Sequence, residues 1–98
     1  MSARVTHAEV SRQMTLIVDL TRLSATLRTG DIQIAGRELA RAIDNYPELE
    51  AGLLSITVAS LNLLMEGDRL ELPALERAGA LARNANARLA SMLNGEGT

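Results

Sequence analysis

Residues 47–66 read PELEAGLLSITVASLNLLME, and this segment predicts the most deeply buried helix of the protein. From Leu53 to Met65, apolar side chains fall on nearly every side of a helical wheel, which is typical of a helix enclosed by other helices. Pro47 suits the first position of such a helix because its missing N–H has no helical partner there in any case. We therefore expect a central helix over residues 47–65, with other helices packed around it.

The segment before it predicts a first helix over residues 7–28. Thr6 and Glu9 have the spacing of a capping box, in which each side chain satisfies the free backbone N–H of the other residue. Thr29-Gly30 suits the end of this helix. Two apolar strips along it predict a helix that touches two neighbours: Leu16, Leu20, Leu23 and Leu27 form one strip, and Val10, Met14, Ile17 and Thr21 form the other.

A second helix is predicted over residues 32–45. Asp31 is a suitable N-cap, and the residue before Pro47 avoids the helical region, so Asn45-Tyr46-Pro47 predicts a turn. The expected core face of this helix consists of Ile32, Ala35, Leu39, Ile43 and Tyr46.

The last helix is predicted over residues 73–93, from Pro73 to a C-cap at Asn94-Gly95, with a frayed tail over residues 96–98. Apolar residues at alternating spacings of three and four form a seam like that of a coiled coil. We expect this face, extended by Leu93, to bind a partner. Its residues are Leu75, Ala78, Ala82, Ala85, Leu89, Met92 and Leu93.

These segments predict an all-α fold, an antiparallel bundle of about four helices with short loops, in a single domain over residues 1–98. An alternative is a scaffold of two tetratricopeptide-like units, because Gly30-Asp31 and Gly67-Asp68 each stand between two helices. The residues flanking the two breaks do not superimpose, and the characteristic positions of that repeat are missing.

The composition argues against catalysis, against metal binding and against the binding of nucleic acid. There is no Cys, and His7 is the only histidine, so the ligands of common zinc and di-iron sites are missing. We expect no catalytic residues, no cofactor, no metal and no small-molecule substrate. The net charge of −2 gives no field to attract nucleic acid. His7 is expected to be solvated and without a chemical role.

No membrane association is expected either. The first ten residues contain no apolar run that would make a signal peptide, and the stretch from Ala51 to Met65 is short and interrupted by polar residues. The expected location is the cytoplasm.

A protein-binding function is what remains, because the helices carry more apolar surface than a small bundle needs. We expect a secretion-type chaperone or adaptor that holds an amphipathic helix of a partner. A homodimer is also expected, through the Ala-rich face of the last helix or the small residues Gly52, Ser55, Ala59 and Asn62 of the third. The alternatives are a homo-oligomeric regulator that sequesters a transcription or signalling protein, and the two-unit scaffold.

The last helix also carries a resemblance to a known family. Residues 75–95, LERAGALARNANARLASMLNG, resemble the C-terminal helix of FlgN-type export chaperones of flagellar and related type III secretion in bacteria. The matching positions are Asn86, Leu89, Met92, Leu93 and Gly95, and the break at Thr29-Gly30-Asp31 looks similar too. The resemblance implies a chaperone whose helical face holds an amphipathic helix of its cargo. This chain is shorter than the usual members of that family. Its two prolines, Pro47 and Pro73, also divide it into shorter helices.

Overall fold

The computed structural model describes residues 6–96, with the backbone alone at residue 96, and this part of the chain is helical without any strand. The all-α fold with four helices is confirmed, while the antiparallel order stays a prediction. The helices are α1 (His7–Thr29), α2 (Ile32–Asn45), α3 (Glu50–Glu66) and α4 (Leu72–Glu96), and a short 3₁₀ turn, Pro47–Leu49, precedes α3.

The predicted caps are confirmed at both ends of α1. The Thr6 hydroxyl accepts a hydrogen bond from the Glu9 backbone N–H at 3.1 Å, and the Glu9 carboxylate accepts one from the Thr6 N–H at 3.4 Å. Gly30 ends the helix in the left-handed region, at φ 77°, where a side chain would be strained. Asp31 then caps α2 by accepting a hydrogen bond from the Ile34 N–H.

Two predicted helix ends are wrong. Pro47 begins the 3₁₀ turn, in which the Leu49 N–H donates to the Tyr46 carbonyl, so α3 starts three residues later, at Glu50. The expected C-cap at Asn94-Gly95 does not form, because α4 continues to Glu96. Two further predictions concern the ends of the chain: that the first ten residues contain no signal peptide, and that residues 96–98 form a frayed tail. Both fall partly on residues 1–5 and 97–98, which lie outside the described residues.

The helices associate in two pairs, α1 with α2 and α3 with α4, and the contacts between the pairs are sparser. The radius of gyration is 15.3 Å, whereas a compact domain of this length has about 12.6 Å. The molecule is accordingly elongated, at 53 × 36 × 22 Å. Its core is aliphatic and consists of Leu23, Leu27, Ile32, Ala35, Leu39, Ala42, Leu53, Leu54, Leu61, Ala78, Ala82 and Ala85.

The expectation that α3 is enclosed on all sides is wrong. Leu53, Leu54 and Leu61 are buried, but Ile56 and Leu63 on the other face are largely exposed. Apolar residues on every side of a helix do not determine how many other helices of the chain pack against it. Here α4 covers one side of α3, and the two remaining helices associate mainly with each other.

Two ion pairs join different helical elements of the chain. The Arg88 guanidinium donates to both carboxylate oxygens of Glu50, at 2.8 and 3.1 Å, and so joins α4 to the start of α3. Arg12 of α1 pairs with Glu48 of the 3₁₀ turn and lies 5.1 Å from the centre of the Tyr46 ring. The Tyr46 hydroxyl donates to the Arg12 carbonyl at 3.0 Å. The C-terminal end of α2 is therefore fixed against α1.

The capping box predicts a contrast between two neighbouring residues. Thr6→Ala removes the hydroxyl that accepts from Glu9, and we expect the free energy of unfolding to fall by about 1 kcal/mol. His7→Ala is the control, because His7 is exposed and should change stability by less than about 0.5 kcal/mol. Urea unfolding of both variants measures the difference. Equal midpoints for the two variants would contradict a stabilising role of the cap.

The Glu50–Arg88 pair predicts a dependence on pH. Hydrogen bonds from Arg88 hold the pKa of Glu50 below its ordinary value of 4.5. A carboxyl group whose pKa is lowered by folding stabilises the protein above its unfolded pKa, and this stabilisation is lost as the pH falls below 4.5 and through the folded pKa. We expect the melting temperature of the wild type to fall more between pH 6 and pH 3 than that of Glu50→Gln. Parallel curves for the two proteins would show that this pair contributes nothing.

Candidate protein-binding groove

An apolar groove lies between the second half of α1 and the second half of α3, and we call it the α1–α3 groove. It has a volume of about 440 Å³ and is open to solvent along one side. The residues that line it are Leu20, Leu23, Ser24, Leu27, Arg28, Ile56, Ser60, Leu63, Leu64, Gly67 and Arg69.

The groove follows from how the apolar faces of the two helices are used. The leucine strip of α1 turns Leu23 and Leu27 into the core, and Leu20 lies partly buried beside them. On α3, Leu61 is buried, whereas Ile56 and Leu63 on the other face are largely exposed. Because α1 and α3 contact each other only sparsely, the space between them is not filled by side chains of this chain.

Exposed aliphatic side chains make the groove an unusual surface. Leu63 is 70% exposed and Ile56 is 55% exposed, although both belong to the wall of a concave site. Scattered apolar residues on a surface need no explanation, whereas a contiguous apolar patch marks a binding site. The volume lies within the range of small-molecule pockets, but such pockets also aim several polar groups at their ligand. Here the lining is mainly aliphatic, and its polar side chains among the described residues are those of Ser24, Ser60, Arg28 and Arg69.

The charges at the groove are all of one sign. Arg28 comes from the last turn of α1, and Arg69 follows the end of α3, and both line the groove. No acidic residue lines it, and within residues 6–96 neither arginine makes an ion pair. An apolar groove flanked by two free guanidinium groups favours an apolar ligand that carries carboxylates.

The predicted partner-binding face of α4 is divided between core and surface. Ala78, Ala82 and Ala85 are buried in the core of this chain, so they are not available to a partner, and this part of the prediction is wrong. Leu89 and Met92 pack partly against the same core. The seam was found correctly as an apolar face, but the helix it packs against is in the same chain, chiefly α3.

The two remaining members of that face lie at its ends. Leu75 is partly accessible and Leu93 is largely exposed. The structure therefore does not bring the seven predicted residues together as one surface. The alanine side chains of α4 are already covered within the chain, which argues against a homodimer through them, and the expected homodimer stays a prediction.

The small residues of α3 do lie at the surface. The four residues of the expected set are exposed on the side of α3 turned away from the core, namely Gly52, Ser55, Ala59 and Asn62.

The segment Pro47–Glu66, with 20 residues and a mean hydropathy of 1.3, is long and apolar enough to cross a membrane by length and composition. Of its 18-residue apolar window, 22% is buried. The core helix of a soluble protein passes the same test, so the expected absence of a membrane stays a prediction.

Potential metal ligands are dispersed in the described part of the chain. Residues 6–96 hold no group of three or more histidine, aspartate or glutamate side chains placed to bind a metal ion. His7 is exposed in the first turn of α1, and the groove lies along the second half of that helix.

Sequence reasoning missed the groove residues, although it found the helices that carry them. The sequence predicts that Leu20 and Leu27 lie on one of two apolar strips of a helix that touches two neighbours, and that Ile56 and Leu63 lie on a helix enclosed by other helices. The sequence does contain a signal for such a surface, because its helices carry more apolar surface than a small bundle needs for its core. No match was found among models of known protein families, curated proteins or solved structures. The resemblance to FlgN-type export chaperones therefore stays a prediction.

Proposed function

We propose that this protein is a non-enzymatic binding protein whose α1–α3 groove receives the apolar face of an amphipathic helix from another protein. The observation that carries this proposal is the exposure of Ile56 and Leu63 in the wall of the groove. Helices that dock in a groove present anchors one and two turns apart. The wall formed by α3 has a matching repeat, because its lining residues Ile56, Ser60 and Leu63 follow one another at spacings of four and three residues.

The charges define the partner further. Arg28 and Arg69 lie at the end of the groove where α1 and α3 both terminate. A docked helix with an aspartate or glutamate at that end would form charge-assisted hydrogen bonds with them. We infer a partner helix with aliphatic anchors and at least one carboxylate near one end. Such a partner suits an adaptor or a secretion-type chaperone working in the cytoplasm.

A membrane surface fits these residues less well than a protein helix does. The exposed side of α3 interleaves Ile56 and Leu63 with the polar Ser55 and Asn62. Acidic residues stand at both ends of the same segment, namely Glu48, Glu50, Glu66 and Asp68. An anionic leaflet repels carboxylates and attracts basic clusters, so this pattern favours a protein partner.

The test is affinity capture from native lysate with a matched pair of variants. Leu63→Glu places a charge inside the groove, whereas Leu72→Glu places the same charge at the start of α4, outside the groove. The two leucines are almost equally exposed, at 70% and 67%, so both variants should fold. We expect proteins captured by the wild type to be lost with Leu63→Glu and retained with Leu72→Glu.

Charge reversal provides a second arm of this test. Arg28→Glu should weaken capture of the same proteins, and the effect should shrink in high salt because exposed charges are screened. If Leu63→Glu captures the same proteins as the wild type, or if Leu72→Glu loses them equally, the groove is not the binding site.

A further inference from the structure

The outward side of α1 is an apolar face that no other part of the described chain covers. Met14 and Ile17 are each 62% exposed, and Val10 and Val18 are also exposed. Thr21 and Ala25 complete the same face, and all six residues are uncharged. We call these six residues the outward stripe. A solvated helix face normally carries charged residues, so an uncharged stripe of this length indicates a contact surface.

The outward stripe is distinct from the α1–α3 groove. Successive residues of a helix are about 100° apart, which places the centre of the stripe roughly 140° around α1 from the centre of Leu20, Leu23 and Leu27. Arg28 lines the groove and also lies in line with the stripe, one turn beyond Ala25, so the two surfaces adjoin at the C-terminal end of α1.

The spacing of the stripe is that of a helix seam. Val10, Met14, Ile17 and Thr21 follow one another at four, three and four residues, the repeat with which one helix packs along another. The stripe lies on the longer helix of its pair, which α2 supports from the opposite side. Its cover is therefore expected to be a helix running along α1.

The exposed area of the chain is large enough for a dimer. The accessible surface is 6893 Å², against about 5,400 Å² for a folded monomer of 10.5 kDa. Even if the seven residues outside the description were fully exposed, about 450 Å² of this excess of about 1,500 Å² would remain. A stable interface of standard size buries about 800 Å² on each partner. The excess, between about 450 and about 1,500 Å², spans this value.

We propose that a second copy of this chain covers the outward stripe, so that α1 of one copy packs on α1 of the other around a two-fold axis. A two-fold interface must be complementary to itself, and a stripe of aliphatic residues without charge meets that condition. The stripe contains no charged group that a different partner would have to match.

The charges around the stripe favour an antiparallel pair. In a parallel pair Arg28, which lies in line with the stripe, would meet its own copy and repel it across the interface. An antiparallel pair centred near Asp19 instead places Ile17 opposite Thr21 and Arg28 beside the first turn of the other α1. The two copies of Arg28 then lie at opposite ends of the pair, where they do not repel each other.

Sedimentation equilibrium at micromolar concentration tests the dimer with a matched pair of variants. Ile17→Glu places a carboxylate in the stripe, and Ile34→Glu places the same charge on the exposed side of α2. We expect the wild type and Ile34→Glu to sediment at twice the mass of 10.5 kDa. Ile17→Glu should raise the dissociation constant at least about tenfold, because two buried like charges would face each other.

Circular dichroism accompanies each variant, and Met14→Glu serves as a second stripe variant should Ile17→Glu fold poorly. A monomeric wild type, or a dimer that both stripe variants leave unchanged, would overturn the proposal. The helix orientation has its own test, since the chain has no cysteine. Mixed Met14→Cys and Ser24→Cys chains should form heterodimeric disulfides, whereas Met14→Cys disulfides with itself would contradict the antiparallel pair.

Discussion

Leu61→Ala is expected to lower the free energy of unfolding by about 2–5 kcal/mol. Leu61 has no exposed surface, and it lies in the core cluster to which all four helices contribute. Truncation removes three buried carbon atoms and leaves a cavity, because the surrounding aliphatic side chains relax only partly. In a protein of 98 residues, a loss of this size is a large fraction of the total stability.

Leu63→Ala is the matched control, since it makes the same truncation two residues further along α3. Leu63 is largely exposed in the groove, so its loss should change stability by less than about 0.5 kcal/mol. Urea unfolding measured on the two variants separates the buried face of α3 from the exposed one. Equal midpoints for Leu61→Ala and the wild type would show that this side of α3 is not in the core.

Ala78→Leu is expected to destabilise the protein by about 1–3 kcal/mol. Ala78 has no exposed surface, and it lies where α4 packs against the rest of the core. The alanines of this seam let the backbones of α4 and its neighbours approach closely. Three added carbon atoms have no space there, so either the helices separate or the side chains leave their preferred rotamers.

Ala87→Leu is its control, because Ala87 lies on the exposed side of α4 and a larger side chain there meets solvent. Thermal melts of the two variants should differ clearly, with the loss confined to Ala78→Leu. Had the seam of α4 been a partner-binding surface, Ala78→Leu would instead weaken a protein interaction and leave the melting temperature unchanged. That pattern would contradict the packing described here.

The sequence predicted local features well, because their physics is local. The capping box at Thr6 and Glu9, the left-handed Gly30 and the Asp31 cap each depend on residues within one turn, and each is confirmed. Where a helix end depends on weaker preferences, the prediction failed. Gly95 was expected to end α4, but glycine only disfavours the helix and does not interrupt its hydrogen bonds, so α4 continues to Glu96.

The sequence could not show which apolar faces meet each other. Periodicity identifies the seam of α4, the two strips of α1 and the apolar character of α3, but all of them look alike in the sequence. The structure shows that the seam is internal, whereas Ile17 on α1 and Leu63 on α3 stay exposed. This distinction depends on long-range packing between the two helix pairs, which no local pattern records. The groove is a consequence of that packing.

The most direct measurement of the groove's function is site-specific photo-crosslinking in the full chain. A benzophenone amino acid in place of Leu63 would report what lies in the groove, and one in place of Leu72 would report what lies at an equally exposed site outside it. The proposed function predicts a covalent adduct at position 63 and none at position 72, with the crosslinked peptide belonging to an amphipathic helix that carries a carboxylate. Equal labelling at both positions, or no protein adduct in the groove, would contradict it.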